Sequence, residues 1–167
     1  VSGTVSRVLV AGVGNVFFGD DGFGVAVAQR LATRALPPGV SVADIGIRGV
    51  HLAFELLDGY DLVVLVDAMP MGEPPGTLSV LEARADDAPV APDAHGLDPR
   101  TVLALLGSLG GSVGRILVVG CEPATVAPGM GLSAPVAAAV DTAVDLVERL
   151  VVAVAVQAGE EARCSDD

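Results

Sequence analysis

Apolar residues gather in short runs that end at glycine or acid. Val8-Leu9-Val10-Ala11 closes on Gly12, and Val40 to Ile45, Leu62 to Val66 and Ile116 to Val119 repeat the pattern over four to six residues. Continuous β-branched runs of this length are what a strand covered on both faces of a parallel sheet requires. Between them the apolar spacing turns helical: Gly24 to Leu36, with Val25, Ala28 and Leu31 on one face, then Val50 to Leu57, Thr101 to Leu109 and Ala134 to Val152. Thr77-Leu78-Ser79-Val80-Leu81 instead alternates polar and apolar after Pro74-Pro75-Gly76, as an antiparallel edge strand does. Strands alternating with helices predict a three-layer α/β/α domain. Its sheet is expected to be twisted and mainly parallel, with about five strands and one antiparallel edge strand.

The pattern has no break long enough to divide the chain, so one domain is expected over residues 1–158. From Gly159 onward, Glu160 to Asp167 is too polar to pack and reads as a frayed tail. Asp86 to Pro99, with three prolines and four aspartates, reads as a loop long enough to carry function.

Composition narrows the classes of function. With 167 residues, 51% of them hydrophobic, the chain can build a core without disulfides or a structural metal. Mean hydropathy is high at +0.63, yet the most apolar tract, Leu146 to Val156, is cut by Glu148 and Arg149 and falls short of a membrane span. No membrane association is expected, and with no leader-like start a cytoplasmic location is. Twenty-one acidic against nine basic residues leave a net charge of −12, and the scattered cations, all arginine, make no basic face for nucleic acid. Two cysteines, Cys121 and Cys164, are too few for a disulfide framework or a zinc knuckle.

In an open α/β sheet, ligands bind beyond the carboxyl ends of the strands. The polar residues predicted there are Asn15, Asp20 and Asp21 after the first strand, Asp44 after the second, Asp67 after the third, His95 in the long loop, and Cys121-Glu122 after the last. Several carboxylates on one rim repel unless a cation or proton joins them, which favours a metal. One of the paired acids is expected to cap the following helix, and Asp20 is the candidate. The glycine loop also invites a dinucleotide reading; G-x-G-x-x-G needs glycine where Phe17 stands, but Asp44 lies close enough to the place of that site's acid to keep a nucleotide- or metal-binding module as the alternative. His51, at the head of a short helix, reads as structural or surface. Cys121 with His95 makes a poor cysteine-protease pair, because Cys-Glu-Pro at a strand end lacks a helix N-terminus to activate the thiol.

Together these motifs resemble one family, the hydrogenase maturation endopeptidases, which trim the C-terminal extension from the large-subunit precursor of nickel-iron hydrogenases. Gly12-Val13-Gly14-Asn15 followed by Asp20-Asp21 and Gly24 is similar to that family's N-terminal signature. Leu65-Val66-Asp67-Ala68, Asp93-Ala94-His95-Gly96-Leu97 and Gly120-Cys121-Glu122-Pro123 with Gly131-Leu132-Ser133 resemble its later motifs, so the likeness spans Val8 to Leu150. The resemblance implies that Asp21, Asp67 and His95 are the catalytic and metal-site residues, and that the metal is nickel carried by the precursor rather than resident. Two carboxylates and an imidazole are a ligand set with open positions, suited to a shared ion. Two departures stand out. Asp21 occupies a position where many members have glutamate. The Asp44-Ile45-Gly46-Ile47-Arg48-Gly49 loop replaces a more glycine- and threonine-rich one associated with substrate choice, which makes Asp44 and Arg48 candidates for contacting the precursor's C-terminal segment.

Overall fold

The computed structural model describes residues 6–83 and 99–164. Five strands form one sheet: β1 (Val8–Val13), β2 (Val40–Gly46), β3 (Tyr60–Ala68), β4 (Leu78–Ala83) and β5 (Val113–Cys121), in the order β2-β1-β3-β5-β4. The β1–β2, β1–β3 and β3–β5 ladders are parallel, and only β4 runs antiparallel, at the edge. This is the predicted fold class.

The helices are α1 (Phe23–Leu31), α2 (Gly49–Leu56), α3 (Pro99–Ser108) and α4 (Ala134–Cys164). Strand side chains alternate between two apolar layers. Val8, Val10, Val64, Val66 and Val119 meet Phe23 and Val27 of α1 and Val136, Val140 and Val144 of α4. Leu9, Ala11, Val63, Leu65 and Val118 face Leu52 and Leu56 of α2 and Val102 and Leu106 of α3. Burial on both faces explains why β1, β3 and the end of β5 read as unbroken apolar runs, whereas β2, at the sheet edge, carries Ser41 and exposed Asp44.

Several element ends differ from the pattern's prediction. α1 stops at Leu31, not Leu36, because the chain turns at Ala32–Arg34 and reaches Pro37-Pro38, which cannot continue a helix. α4 runs on to Cys164, so its backbone includes Gly159–Cys164, where a frayed tail was expected; residues 165–167 lie outside the described residues. Residues 86–98 of the long loop, His95 among them, also lie outside them. Among the described residues, no helix is long and apolar enough to cross a membrane.

Part of the acidic excess holds two helices together. Asp141, Asp145 and Glu148 lie along one side of α4, where Arg30 of α1 and Arg34 of the turn that follows it pair with them at 3.1–3.4 Å.

Candidate active site

The chain leaves β1 toward β2 on one side of the sheet, and β3 returns on the other side of β1. The crevice between the carboxyl ends of β1 and β3 is therefore the topological switch point, where ligands of open α/β sheets bind. Asp21 reaches it from a short 3-10 helix (Gly19–Gly22) that joins β1 to α1, and Asp67 is the next-to-last residue of β3.

Glycines make this junction possible. A Cβ on Gly12 would lie 2.2 Å from the Gly24 carbonyl oxygen, and one on Gly24 would lie 2.0 Å from that of Val66. The head of α1 thus rests directly on β1 and β3. Gly14 takes φ +125° and passes so close to the Asp21 backbone that a Cβ would sit 1.9 Å from its oxygen. The Asn15 amide then donates to Asp21 Oδ2 at 2.7 Å.

The two neighbouring acids have different roles. Asp20 is fully buried and accepts four hydrogen bonds: from the Ala124 and Thr125 amides at 2.8 and 3.1 Å, the Ser133 amide at 2.7 Å and the Ser133 hydroxyl at 2.8 Å. Burial pushes its pKa up, but those bonds outweigh it and hold the carboxyl below its ordinary range. The expectation that Asp20 caps its own helix is corrected: neither the 3-10 helix nor α1 has a side-chain cap. Asp20 instead fastens the β5–α4 loop and sets a negative charge at the start of α4, the positive end of that helix.

Asp21 is also buried, yet among the described residues its carboxylate accepts from a single donor, the Asn15 amide. Asp67 is partly buried and accepts from the Ala68 amide at 2.8 Å. Burial first, and then the charge of Asp21, push the Asp67 carboxyl well above its ordinary range. Among the described residues, no arginine forms an ion pair with either acid. No three His, Cys, Asp or Glu of the described residues cluster as a metal site, and His95 lies outside them.

The other sequence candidates fall as follows. Asp44 is exposed at the end of β2, beside Gly12 in register, and accepts from Gln29 at 3.1 Å. Arg48 turns its guanidinium back onto the carbonyls of Asp44 and Ile45, at 2.7 and 3.2 Å, and so shapes the loop it was expected to arm. Cys121 is buried, and its thiol is pushed up to about 11 by burial and by the charges of Asp20 and Glu122, the opposite of an activated nucleophile. Exposed His51 lies in the first turn of α2.

Glu122 acquires a role that the sequence did not reveal. It is buried, and its carboxylate accepts from the Met71 and Glu73 amides, tying the β3–β4 connection to β5. Its one local signal is a charged residue directly after an apolar strand. The glycine loop is no phosphate cradle: the amides of Gly14, Asn15, Phe17, Phe18, Gly19, Asp20 and Asp21 all donate within the protein. An open groove elsewhere, bounded by Pro75, Leu78, Pro135 and Thr142, has no titratable lining residue.

Fold and site define a doubly wound α/β protein with an acidic pair at its switch point. Comparison with known proteins is more specific. Residues 25–150 match the family model described as hydrogenase maturation protease. The hydrogenase expression/formation protein HupD of Rhodobacter capsulatus is 33% identical over 168 residues, covering 96% of this chain and 79% of that protein. A putative hydrogenase maturation protease of Methanocaldococcus jannaschii is 34% identical over 150 residues, covering 84% and 93%. Among solved structures, the hydrogenase maturating endopeptidase HybD of Escherichia coli aligns with a TM-score of 0.72 at 29% identity, covering 84% of this chain and 89% of that one. The [NiFe] hydrogenase maturation protease HycI of Thermococcus kodakarensis aligns at 0.73 and 27%, covering 87% and 92%. This chain belongs to the hydrogenase maturation protease family, and its activity is that of a peptidase.

Proposed function

We propose that this peptidase removes the C-terminal extension of a nickel-iron hydrogenase large-subunit precursor, and does so when that precursor carries nickel. Asp21, Asp67 and His95 engage the ion as part of the substrate, which brings the scissile peptide to the β1/β3 crevice. The observation that carries this reading is the Asp21–Asp67 pair: two acids share one crevice, and the charge of one raises the pKa of the other. Such a pair gains most from a cation that arrives with another molecule. A divalent ion held there by these residues would supply Lewis-acid chemistry, polarising a carbonyl or activating water. Asp44, exposed at the same edge of the sheet, and Arg48, which holds its loop, contact the precursor's C-terminal segment.

The test is incubation of the purified protein with nickel-loaded and nickel-free precursor, with release of the extension followed by mass spectrometry. Cleavage of the loaded form alone is expected. Equal cleavage of both, or of neither, overturns the nickel-gated reading. His95→Ala should abolish processing and leave the fold unchanged by circular dichroism; full activity would remove His95 from the site.

A further inference from the structure

The loop that leads to Asp21 and the β5–α4 loop bonded to it carry exposed apolar side chains, a shelf that the fold itself does not use. Phe17 is 61% exposed in the loop before Asp20, and Met130 is 76% exposed in the β5–α4 loop. The two loops are zipped together: Gly129 donates to the Phe17 carbonyl and Gly19 to the Gly129 carbonyl, each at 2.8 Å, around a parallel bridge between Phe18 and Gly129. Asp20 fastens the same β5–α4 loop from below.

Three observations make this a built surface. Met130 is flanked by Gly129 and Gly131, both at positive φ, and a Cβ on either would meet open space. Those glycines are needed for backbone shape, not for packing, and the shape they set leaves Met130 largely in solvent. Residues 16–19 and 126–132 contain no charged side chain, although the chain is 18% charged and strongly acidic. The shelf is also mechanically continuous with the site. The Phe17 amide donates to Asn15 Oδ1, and the Asn15 amide donates to Asp21 Oδ2.

We infer that Phe17 and Met130 dock an apolar stretch of the protein substrate, so that its neighbouring residues fall on Asp21 and Asp67. The inference rests on the proposed reading of those acids as the reaction centre. A protease must hold a polypeptide across its site, and this shelf, uncharged itself, lies on the loop that carries Asp21 and on the loop bonded to it. Exposed aromatic and methionine side chains suit such docking, because the aromatic ring loses little freedom on binding and methionine adapts to varied partners. Preorganised apolar anchors also carry a disproportionate share of binding energy.

The experiment compares wild type with Phe17→Ser, Met130→Ser, the double variant, and the conservative pair Phe17→Leu and Met130→Leu. Steady-state cleavage of nickel-loaded precursor is measured, together with direct binding of the precursor to immobilised enzyme. Each serine substitution should raise KM and Kd by about tenfold and the double by about a hundredfold, with kcat and melting temperature unchanged. The leucine variants should restore most of the affinity. Unchanged Kd in the double variant overturns the inference, as does a loss confined to kcat. A wild-type dimer that Phe17→Ser dissolves also overturns it, by assigning the shelf to a second copy. The binding arm decides the inference even if no precursor is cleaved, an outcome that counts against the proposed function alone.

Discussion

Asp20 provides the sharpest test of the division between support and chemistry at this site. Replacing it with alanine removes the acceptor for three amides and one hydroxyl, all drawn from residues 124–133. Hydrogen bonds to a charged partner contribute roughly 1.5–3 kcal/mol each, so even with strong non-additivity the loss is about 4 kcal/mol or more. That is comparable to the whole stability of many domains, about 5–15 kcal/mol, and the alanine protein is expected to express poorly. Asparagine is the informative change. With its carbonyl oxygen in place of Oδ2 it keeps Ala124, Thr125 and the Ser133 hydroxyl, but its amide then faces the Ser133 amide, donor against donor. One bond is lost, the three that remain go to a neutral oxygen, and a buried donor is left unmet, a cost of about 3 kcal/mol. For a chain of this size that lowers the melting temperature by about 6–12 °C. The assay is thermal melting by circular dichroism, paired with precursor cleavage well below the transition. Asp20→Asn should melt early yet still process while folded. Melting within about 2 °C of wild type, or unchanged melting with abolished cleavage, refutes the bracing role. Acid provides an independent check. The folded pKa of Asp20 is depressed, so its contribution is present above the ordinary aspartate value of 3.8 and fades as pH falls below it. The difference between wild type and Asp20→Asn should therefore shrink in strong acid.

Three other outcomes follow from the same geometry. Asp67 is held above its ordinary pKa, so at neutral pH its charge opposes folding; Asp67→Asn should raise the melting temperature of the metal-free protein while abolishing processing, and a lowered melting temperature counts against the uncompensated pair. Gly24→Ala forces a Cβ to within 2.0 Å of the Val66 oxygen and 2.4 Å of the Val13 oxygen and should cost about 3 kcal/mol in urea denaturation, whereas Gly107→Ala in α3, with nothing within 4 Å, should gain about 0.5–1 kcal/mol. Cys121→Ala should keep processing, because a buried thiol with its pKa near 11 is not the nucleophile; loss of cleavage in a folded variant refutes that.

The inner strands β1, β3 and β5 were legible because burial on both faces leaves an unmistakable local record, and edge strand β4 by its polar–apolar alternation. Their ends were not: the apolar run of β3 begins at Leu62, but the ladder continues to Tyr60, opposite Val113 on β5. Helix ends depended on breakers. Pro37-Pro38 bounds the turn after α1, but α4 meets no proline after Pro135 and outruns the apolar stretch that signalled it. The acids at the rim were legible as a set, since charge tolerates only the strand ends of such a sheet. Which acid does what was not. The partners that make Asp20 a brace lie 104 to 113 residues away, and those of Glu122 lie 49 and 51 residues away. Local spacing suggested a helix cap for Asp20 because its true donors are remote.

That remoteness explains why two adjacent aspartates differ so much. Asp20, Asp21 and Glu122 are the buried charged residues among those described. A buried carboxylate is stable in proportion to the donors aimed at it. Asp20 has four, and Glu122 is met by two backbone amides; each thereby fixes a loop that leaves a carboxyl end of the sheet. With these loops held by their own acids, Asp21 among the described residues has one amide donor, and Asp67 has the amide of its own neighbour. If every acid on the rim were satisfied as Asp20 is, a cation would gain little by entering. Among the described residues the supporting acids are fully satisfied and one pair at the switch point is not, so that pair is where an entering cation would gain most.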